Sequence, residues 1–446
     1  MKTKPARLLV AAALFASVSW PGLANAQGFK ENLAALLQEH NLVEVARLDL
    51  EAADERVREA WGAYFPTLNV NAFVGRQGKS NNAAASTQLN PRQAKFTLTQ
   101  KLYDFGATDA NIRRSKLERR SAETFQKIAV QDLLLQALTA QLNIIRAAEV
   151  VDYARRSEQN ILKQEQVEKD RVDAGGGQIT DLLQVQSQLA AARTRLVAAE
   201  GQLQLARNLY KRVFGDFPAA DAAKEVPVVP TAALPSSVDE AVDMTQSGNL
   251  RVIAARLGAD VLKETAEAAK ATAYYPTLNA IGEVTTKNQV DGIDGHENET
   301  IAKVELNFPF NMGWTARNTV RAAELTQESA YRRSNQVFTE LEEQVRNAWQ
   351  NFRTARANAV LLGDQADLAA RFLELAREER KLGKRSLIDV LAGETALLNA
   401  QADAAAAQRD VAINAFTVLS FVSSLSLADV EIVPYDGPAQ IAQIVQ

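Results

Sequence analysis

The chain has 446 residues, with 50 Lys and Arg against 54 Asp and Glu, a formal net charge of −4, two His and no Cys. The lack of cysteine excludes disulfides and thiolate metal sites, two histidines leave little for a metal cluster, and the acidic balance argues against nucleic acid as a partner. Abundant Ala, Leu, Gln, Glu and Arg with scarce Pro predict long helices over a length that suits two or three ordinary domains.

Residues 1–26 read as a signal peptide. Lys2, Lys4 and Arg7 form a basic region, Leu8 to Val18 a short apolar core, and Ala24-Asn25-Ala26 a small-x-small cleavage site, so the mature chain is expected to start at about Gln27. The apolar core is shorter than the ~20 residues of a membrane-spanning helix. No cysteine follows the cleavage site for lipidation, and losing the leader takes the formal charge to −7. No later segment reads as a transmembrane helix, so the exported chain is either soluble or a β-barrel.

The first repeat is expected over 27–217. Leu33, Leu36, Leu37, Leu42, Val45 and Leu48 give a helical apolar stripe from about Phe29 to Gly62. That helix ends in Ala63-Tyr64-Phe65-Pro66-Thr67-Leu68-Asn69, which returns almost unchanged as Ala273-Tyr274-Tyr275-Pro276-Thr277-Leu278-Asn279. Pro lacks an N–H and disfavours helix in the residue before it, so both copies read as helix-to-strand switches, and their recurrence marks an internal duplication. After Pro66 the even positions Leu68, Val70, Ala72 and Val74 are apolar and the odd positions Thr67, Asn69 and Asn71 polar; before Gly106, Phe96, Leu98 and Leu102 alternate with Lys95, Thr97, Thr99 and Lys101. Each run has the length, ~9–11 residues, of a tilted strand across a bilayer. They form a hairpin over 66–105 with a polar loop from about Gly75 to Arg92.

The proline-free stretch from Ala107 to Asp173 predicts a rod that as continuous helix would span ~100 Å. A turn at 174–178, carrying Gly175, Gly176 and Gly177, sends the chain back along heptads of Leu182, Leu189, Leu196 and Leu203 with Val185, Ala192, Ala199 and Ala206, a left-handed coiled-coil seam. A linker over 218–236 holds Pro218, Pro227, Pro230 and Pro235.

The second repeat is expected over 237–427: a helix from Val238 to Ala273, a hairpin over 276–311 with a loop from about Thr286 to Glu299, and a second rod turning at 382–386 around Gly383. The tail, 428–446, reads as irregular.

No nucleophile–base set is evident, so neither enzyme chemistry nor a cofactor is expected. His40 reads as a surface helix residue and His296 as a loop residue. The triple glycine lacks the Lys-Ser/Thr continuation of a phosphate cradle and reads as a helix end. Tyr64, Phe65, Tyr274 and Tyr275, with Tyr103, Phe105, Phe310 and Trp314, mark all four strands at one end, as an aromatic girdle at a membrane edge would. Four strands cannot close a barrel, so the chain must oligomerise; a dimer supplies eight strands and a trimer twelve.

The duplicated aromatic-Pro-Thr-Leu switch, the paired hairpins, and the turn motifs Gly175-x3-Ile179-Thr180-Asp181-Leu182-Leu183 and Gly383-x3-Leu387-Ile388-Asp389-Val390-Leu391 resemble the TolC family of outer-membrane efflux ducts over essentially the whole mature chain. The resemblance implies a mainly α fold with a membrane β-barrel. In it, a homotrimer sits in outer-membrane lipid, its twelve-stranded barrel continued across the periplasm by a coiled-coil α-barrel. It implies partners: a periplasmic adaptor facing the glycine turns, and an inner-membrane ABC transporter or proton-driven pump. It also implies a periplasmic gate in which Thr180 and Asp181 are linked to Arg385 and to the position of Arg380, where the family carries tyrosine; an Arg380–Asp181 ion pair is the expected substitute. Asp389 corresponds to an acidic ring at the constriction, whose second acidic position is Ala392 here. The absent lipid-anchor cysteine and asparagine-rich loops point towards type I protein secretion rather than drug efflux. The alternative is a soluble periplasmic coiled-coil scaffold or adaptor, against which the amphipathic strands speak.

Overall fold

The computed structural model describes residues 28–81, 84–218, 225–290, 294–310 and 313–434. The expected signal peptide and the end of the tail lie outside the described residues. In chain order the elements are α1 (Phe29–Glu39), α2 (Asn41–Gly62), β1 (Thr67–Val74), β2 (Gln77–Asn81), β3 (Ala84–Leu89), β4 (Arg92–Tyr103), α3 (Ala107–Asp173) and α4 (Ile179–Phe214). They continue as β5 (Glu225–Val228), a 3₁₀ turn (Thr231–Ala233), α5 (Val238–Gly248), α6 (Leu250–Tyr274), β6 (Thr277–Asn288), β7 (His296–Asn307), α7 (Thr315–Lys381), α8 (Leu387–Phe421) and β8 (Glu431–Pro434).

The alternating strands form one antiparallel sheet in the order β1-β4-β6-β7. Its register sets Val70 against Phe96 and Phe96 against Val284, and sets Leu68 against Leu98, Leu98 against Gly282 and Gly282 against Ala302. The apolar positions therefore share one face, and Leu68, Val70, Phe96, Leu98, Val284, Val304 and Leu306 stand exposed on it. The other face carries ion pairs, Lys95–Glu283 at 2.9 Å, Lys303–Glu305 at 2.8 Å and Lys287–Glu299 at 3.5 Å. An apolar face left bare and a charged face that pairs internally are what a barrel wall between lipid and water requires.

Below the sheet, α3 and α7 are 67-residue helices that return as α4 and α8. Of the first rod's heptad positions, Val185, Leu189, Ala192 and Ala199 are buried on α4 and Leu182, Leu196, Leu203 and Ala206 partly so; on α8 the matching seam buries Val390, Ala400, Ala404, Ala407 and Val411. Gly393 lets α7 approach, since a Cβ there would meet Leu373 Cδ1 at 3.2 Å and Phe372 Cε1 at 3.3 Å. The main apolar core lies midway along the molecule, where Phe29 and Leu33 of α1 pack with Leu133, Leu134, Leu138 and Leu142 of α3 and Phe416 and Leu419 of α8. This packing accounts for the one stretch of α3 that is long and apolar enough to cross a membrane: half of it is buried inside the protein, where sequence reading had seen no such segment.

Several expectations need correction. The helix expected over 29–62 breaks at His40, whose extended backbone lets Nδ1 accept the Leu42 N–H at 3.1 Å; His40 is thus a helix cap, not a residue on a helix face. Asn249 interrupts the second helix in the same way, its Oδ1 accepting from Arg251 N–H at 2.8 Å. The loop after Gly75 contains the paired strands β2 and β3, and β6 and β7 extend beyond their expected ends, so His296 opens a strand. The tail is not wholly irregular: β8 pairs with β5 of the linker, Val226 facing Val433. Two chain segments far apart in sequence thereby satisfy each other's backbone, and Gln141 of α3 anchors them by donating to the Glu225 carbonyl at 2.7 Å.

Candidate functional site

Each rod ends in a left-handed glycine, Gly175 at φ 77° and Gly383 at φ 72°. There a Cβ would be strained, and the last helical carbonyls are closed by bonds from beyond the turn. Gly176 and Gly177 N–H both donate to Arg171 O, at 3.0 and 2.9 Å, and Lys384 N–H donates to Glu379 O at 2.9 Å. Gly177 is required for a second reason: a Cβ there would lie 2.7 Å from Val172 N.

The two turns are brought together by Arg380. Its Nη2 lies 3.6 Å from Asp181 Oδ2, the expected ion pair, and 3.1 Å from Glu168 Oε1. Glu168 is buried on α3 and also bonds Arg171 at 3.3 Å. One guanidinium at the end of α7 thus joins α3 to the first turn of α4. Thr180 does not take part; its hydroxyl donates to Gln178 Oε1 at 3.4 Å. Arg385 does not reach Thr180 or Asp181 either. It bonds Glu379 in its own turn at 2.6 Å and lies over the Phe372 ring at 5.2 Å, the nearer carboxylate being only six residues away. Asp389 is exposed in the first turn of α8, its N–H donating to Ser386 Oγ at 3.3 Å. Glu168 was missed because a glutamate in a Glu- and Arg-rich helix looks like a solvated residue. The signal that finds it is its place on the heptad row Ala154, Ile161, Glu168, all three buried.

At the opposite end, the aromatics converge where helices meet strands. Tyr64 OH donates to Asp109 of α3, and Tyr64 O accepts from Gln100 Nε2 at 3.0 Å. Phe105 stacks on Tyr275 with ring centroids 5.3 Å apart and meets Tyr103 edge-on at 4.7 Å, so the two repeats touch through the expected girdle. Phe65 remains exposed beside Pro66, while Tyr275 caps α6 in extended backbone just before Pro276. Phe105, at φ 54°, and Gly106, at φ 93°, reverse the chain into α3, and Asp104 caps that start by accepting Thr108 N–H at 2.9 Å. Burial raises the Asp104 pKa, but the hydrogen bonds from Thr108 and the charge of Lys101 outweigh it and hold the carboxyl below the ordinary aspartate value.

The profile of the outer membrane efflux protein family matches residues 32–215 and 241–420, one match on each repeat. The chain belongs to the outer membrane efflux protein family. Outer membrane efflux protein BepC of Brucella suis is 23% identical over 376 residues, covering 84% of this chain and 80% of its own. Outer membrane protein TolC of Escherichia coli K12 is 24% identical over 417 residues, covering 90% and 83%. Alkaline protease secretion protein AprF of Pseudomonas aeruginosa is 24% identical over 347 residues, covering 76% and 71%. Among solved structures, the Campylobacter jejuni CmeC outer membrane channel aligns with a TM-score of 0.74 at 14% identity, covering 99% of this chain and 98% of that one.

As a member of the outer membrane efflux protein family, this chain lies in the bacterial outer membrane and extends into the periplasm. That location overturns the alternative of a soluble periplasmic scaffold. The apolar face of the sheet is its lipid face, and the rods and their glycine turns are its periplasmic part.

Proposed function

We propose that three copies of this chain form a passive export duct. The observation that carries this is the four-stranded sheet, bare and apolar on one face, ending at both edges in strands that no other strand among the described residues covers. Edges in lipid leave backbone groups unsatisfied, so copies must close the ring, and twelve strands suit a duct wide enough to be continued by helices. Gly175, Gly176, Gly177 and Gly383 then present the turns to a periplasmic adaptor, and an inner-membrane ABC transporter or proton-driven pump supplies the energy. Arg380, Asp181 and Glu168 hold the periplasmic end closed, with Asp389 of three copies converging below. The cargo class we favour is protein, through a type I secretion system; the name of the similar AprF, an alkaline protease secretion protein, supports a protein cargo, whereas that of BepC speaks of efflux. Membrane fractionation and gel analysis test the duct: an outer-membrane, detergent-resistant trimer is expected, and a soluble monomer would overturn it. Capture of the inner-membrane partner from crosslinked cells decides the cargo class, an ABC transporter supporting secretion and a proton-driven pump supporting efflux.

A further inference from the structure

The internal duplication specifies how neighbouring copies join, granted the trimeric reading above. The two hairpins repeat each other register for register: Thr67 facing Thr99 in the first becomes Thr277 facing Asn307 in the second. Strands β1 and β6 are thus 210 positions apart and β4 and β7 208 apart, and the same 208 carries on through α3 and α7 to Gly175 and Gly383. Within the sheet of one chain the repeats meet once, where β4 pairs with β6. There Phe96 faces Val284, Leu98 faces Gly282, Thr99 faces Ile281 and Gln100 faces Ala280.

In a closed ring the remaining joint sets β7 against β1 of the next copy, again the second strand of one repeat against the first strand of another. We propose that this seam reproduces the β4–β6 register, so that Val304 faces Val74 of the partner subunit, Leu306 faces Ala72 of the partner subunit and Asn307 faces Asn71 of the partner subunit. Two observations support this register. Strand tilt and stagger are linked around a barrel, so joints of equal register give all strands one tilt, whereas a two-residue slip at each seam would not. A one-residue slip would turn the apolar row of β1 away from lipid. The seam also accounts for Phe73, an exposed aromatic on the polar row of β1. Phe73 occupies the place of Glu283, and Lys303 the place of Lys95, whose ion pair at 2.9 Å straddles the β4–β6 joint. At the seam the alkyl stem of Lys303 covers Phe73 of the partner subunit, so protomers join there through an apolar contact where the repeats join through charge.

The chain contains no cysteine, so introduced pairs read the seam directly. Asn71→Cys/Asn307→Cys is compared with the slipped pairs Asn69→Cys/Asn307→Cys and Phe73→Cys/Asn307→Cys, all on the water-facing row, under mild copper–phenanthroline oxidation of outer membranes. Within one chain β1 and β7 are three strand spacings apart, about 14 Å, beyond the ~7 Å reach of a disulfide, so any crosslink is between copies. The 71/307 pair should give reducible covalent dimers and trimers at least about fivefold more abundantly than either slipped pair, whose Cα atoms would sit ~7–8 Å apart or more. If a slipped pair dominates while trimers still form, the register is wrong and the duct stands. If no oligomer is present before oxidation in the single-cysteine controls, the trimeric reading itself fails. Should the 71/307 variant not assemble, Phe73→Cys/Glu305→Cys reads the same register, and its failure to crosslink in assembled trimers overturns the proposal.

Discussion

Arg380 holds Asp181 at 3.6 Å and Glu168 at 3.1 Å, and a change there reaches two helices at once. Arg380→Ala and Asp181→Ala should raise single-channel conductance in planar bilayers, and Arg380→Ala should do so more, because it releases both carboxylates. Arg385→Ala, which loosens only its own turn, should change conductance little. Unchanged conductance in Arg380→Ala would remove the residue from the gate. The Arg380–Asp181 pair was expected only through the resemblance to TolC-like ducts, in which the position of Arg380 carries the tyrosine linked to the matching aspartate. The acid beneath it was not, because composition does not tell a buried glutamate from a solvated one. The same is true of Arg409 and Glu149, a buried pair at 2.6 Å between α8 and α3, each seven residues from a buried apolar residue, Phe416 and Leu142. Removing one member takes a close counter-charge from a buried group, so Arg409→Ala should cost ~3–5 kcal/mol in thermal or denaturant unfolding, and Arg409→Met/Glu149→Met should recover much of the loss.

At the scale of the element, the switches and turns make separate predictions. Substituting Pro66 and Pro276 together should lower the yield of inserted trimers while leaving conductance of those that insert unchanged; normal trimer yield would contradict their role at the membrane edge. Gly177→Ala forces a Cβ to within 2.7 Å of backbone and should disturb the first turn, whereas Gly176→Ala meets only Arg171 O at 4.0 Å and should be mild; limited proteolysis at the tip distinguishes them. The cap of α3 gives a pH dependence. Asp104 has a depressed folded pKa, so its contribution is present above the ordinary aspartate value of about 3.9 and is lost as pH falls through the lower folded value; Asp104→Asn should flatten stability over that range. The long elements were legible because period two and period seven persist over many residues. The breaks at His40 and Asn249 were not, since each depends on a single side chain capping the next helix. Strands β2, β3 and β8 were hidden because their short polar or proline-flanked sequences form strands only against a partner.

For the whole molecule, duplication is the feature that ties sequence to assembly. The two copies of the aromatic-Pro-Thr-Leu switch mark equivalent points, and after each one the chain builds a hairpin of the sheet and the helices that continue it. The fold was therefore readable almost throughout, while the cluster at the two glycine turns was readable only in part, because its contacts combine residues from both repeats. The open sheet, with its bare apolar face and two edges unpaired among the described residues of the protomer, is complete only in company. Native mass spectrometry of protein released from outer membranes in mild detergent tests this most directly. The expected result is a single species of three mature chains; a monomer, or a dimer with its eight strands, would contradict it.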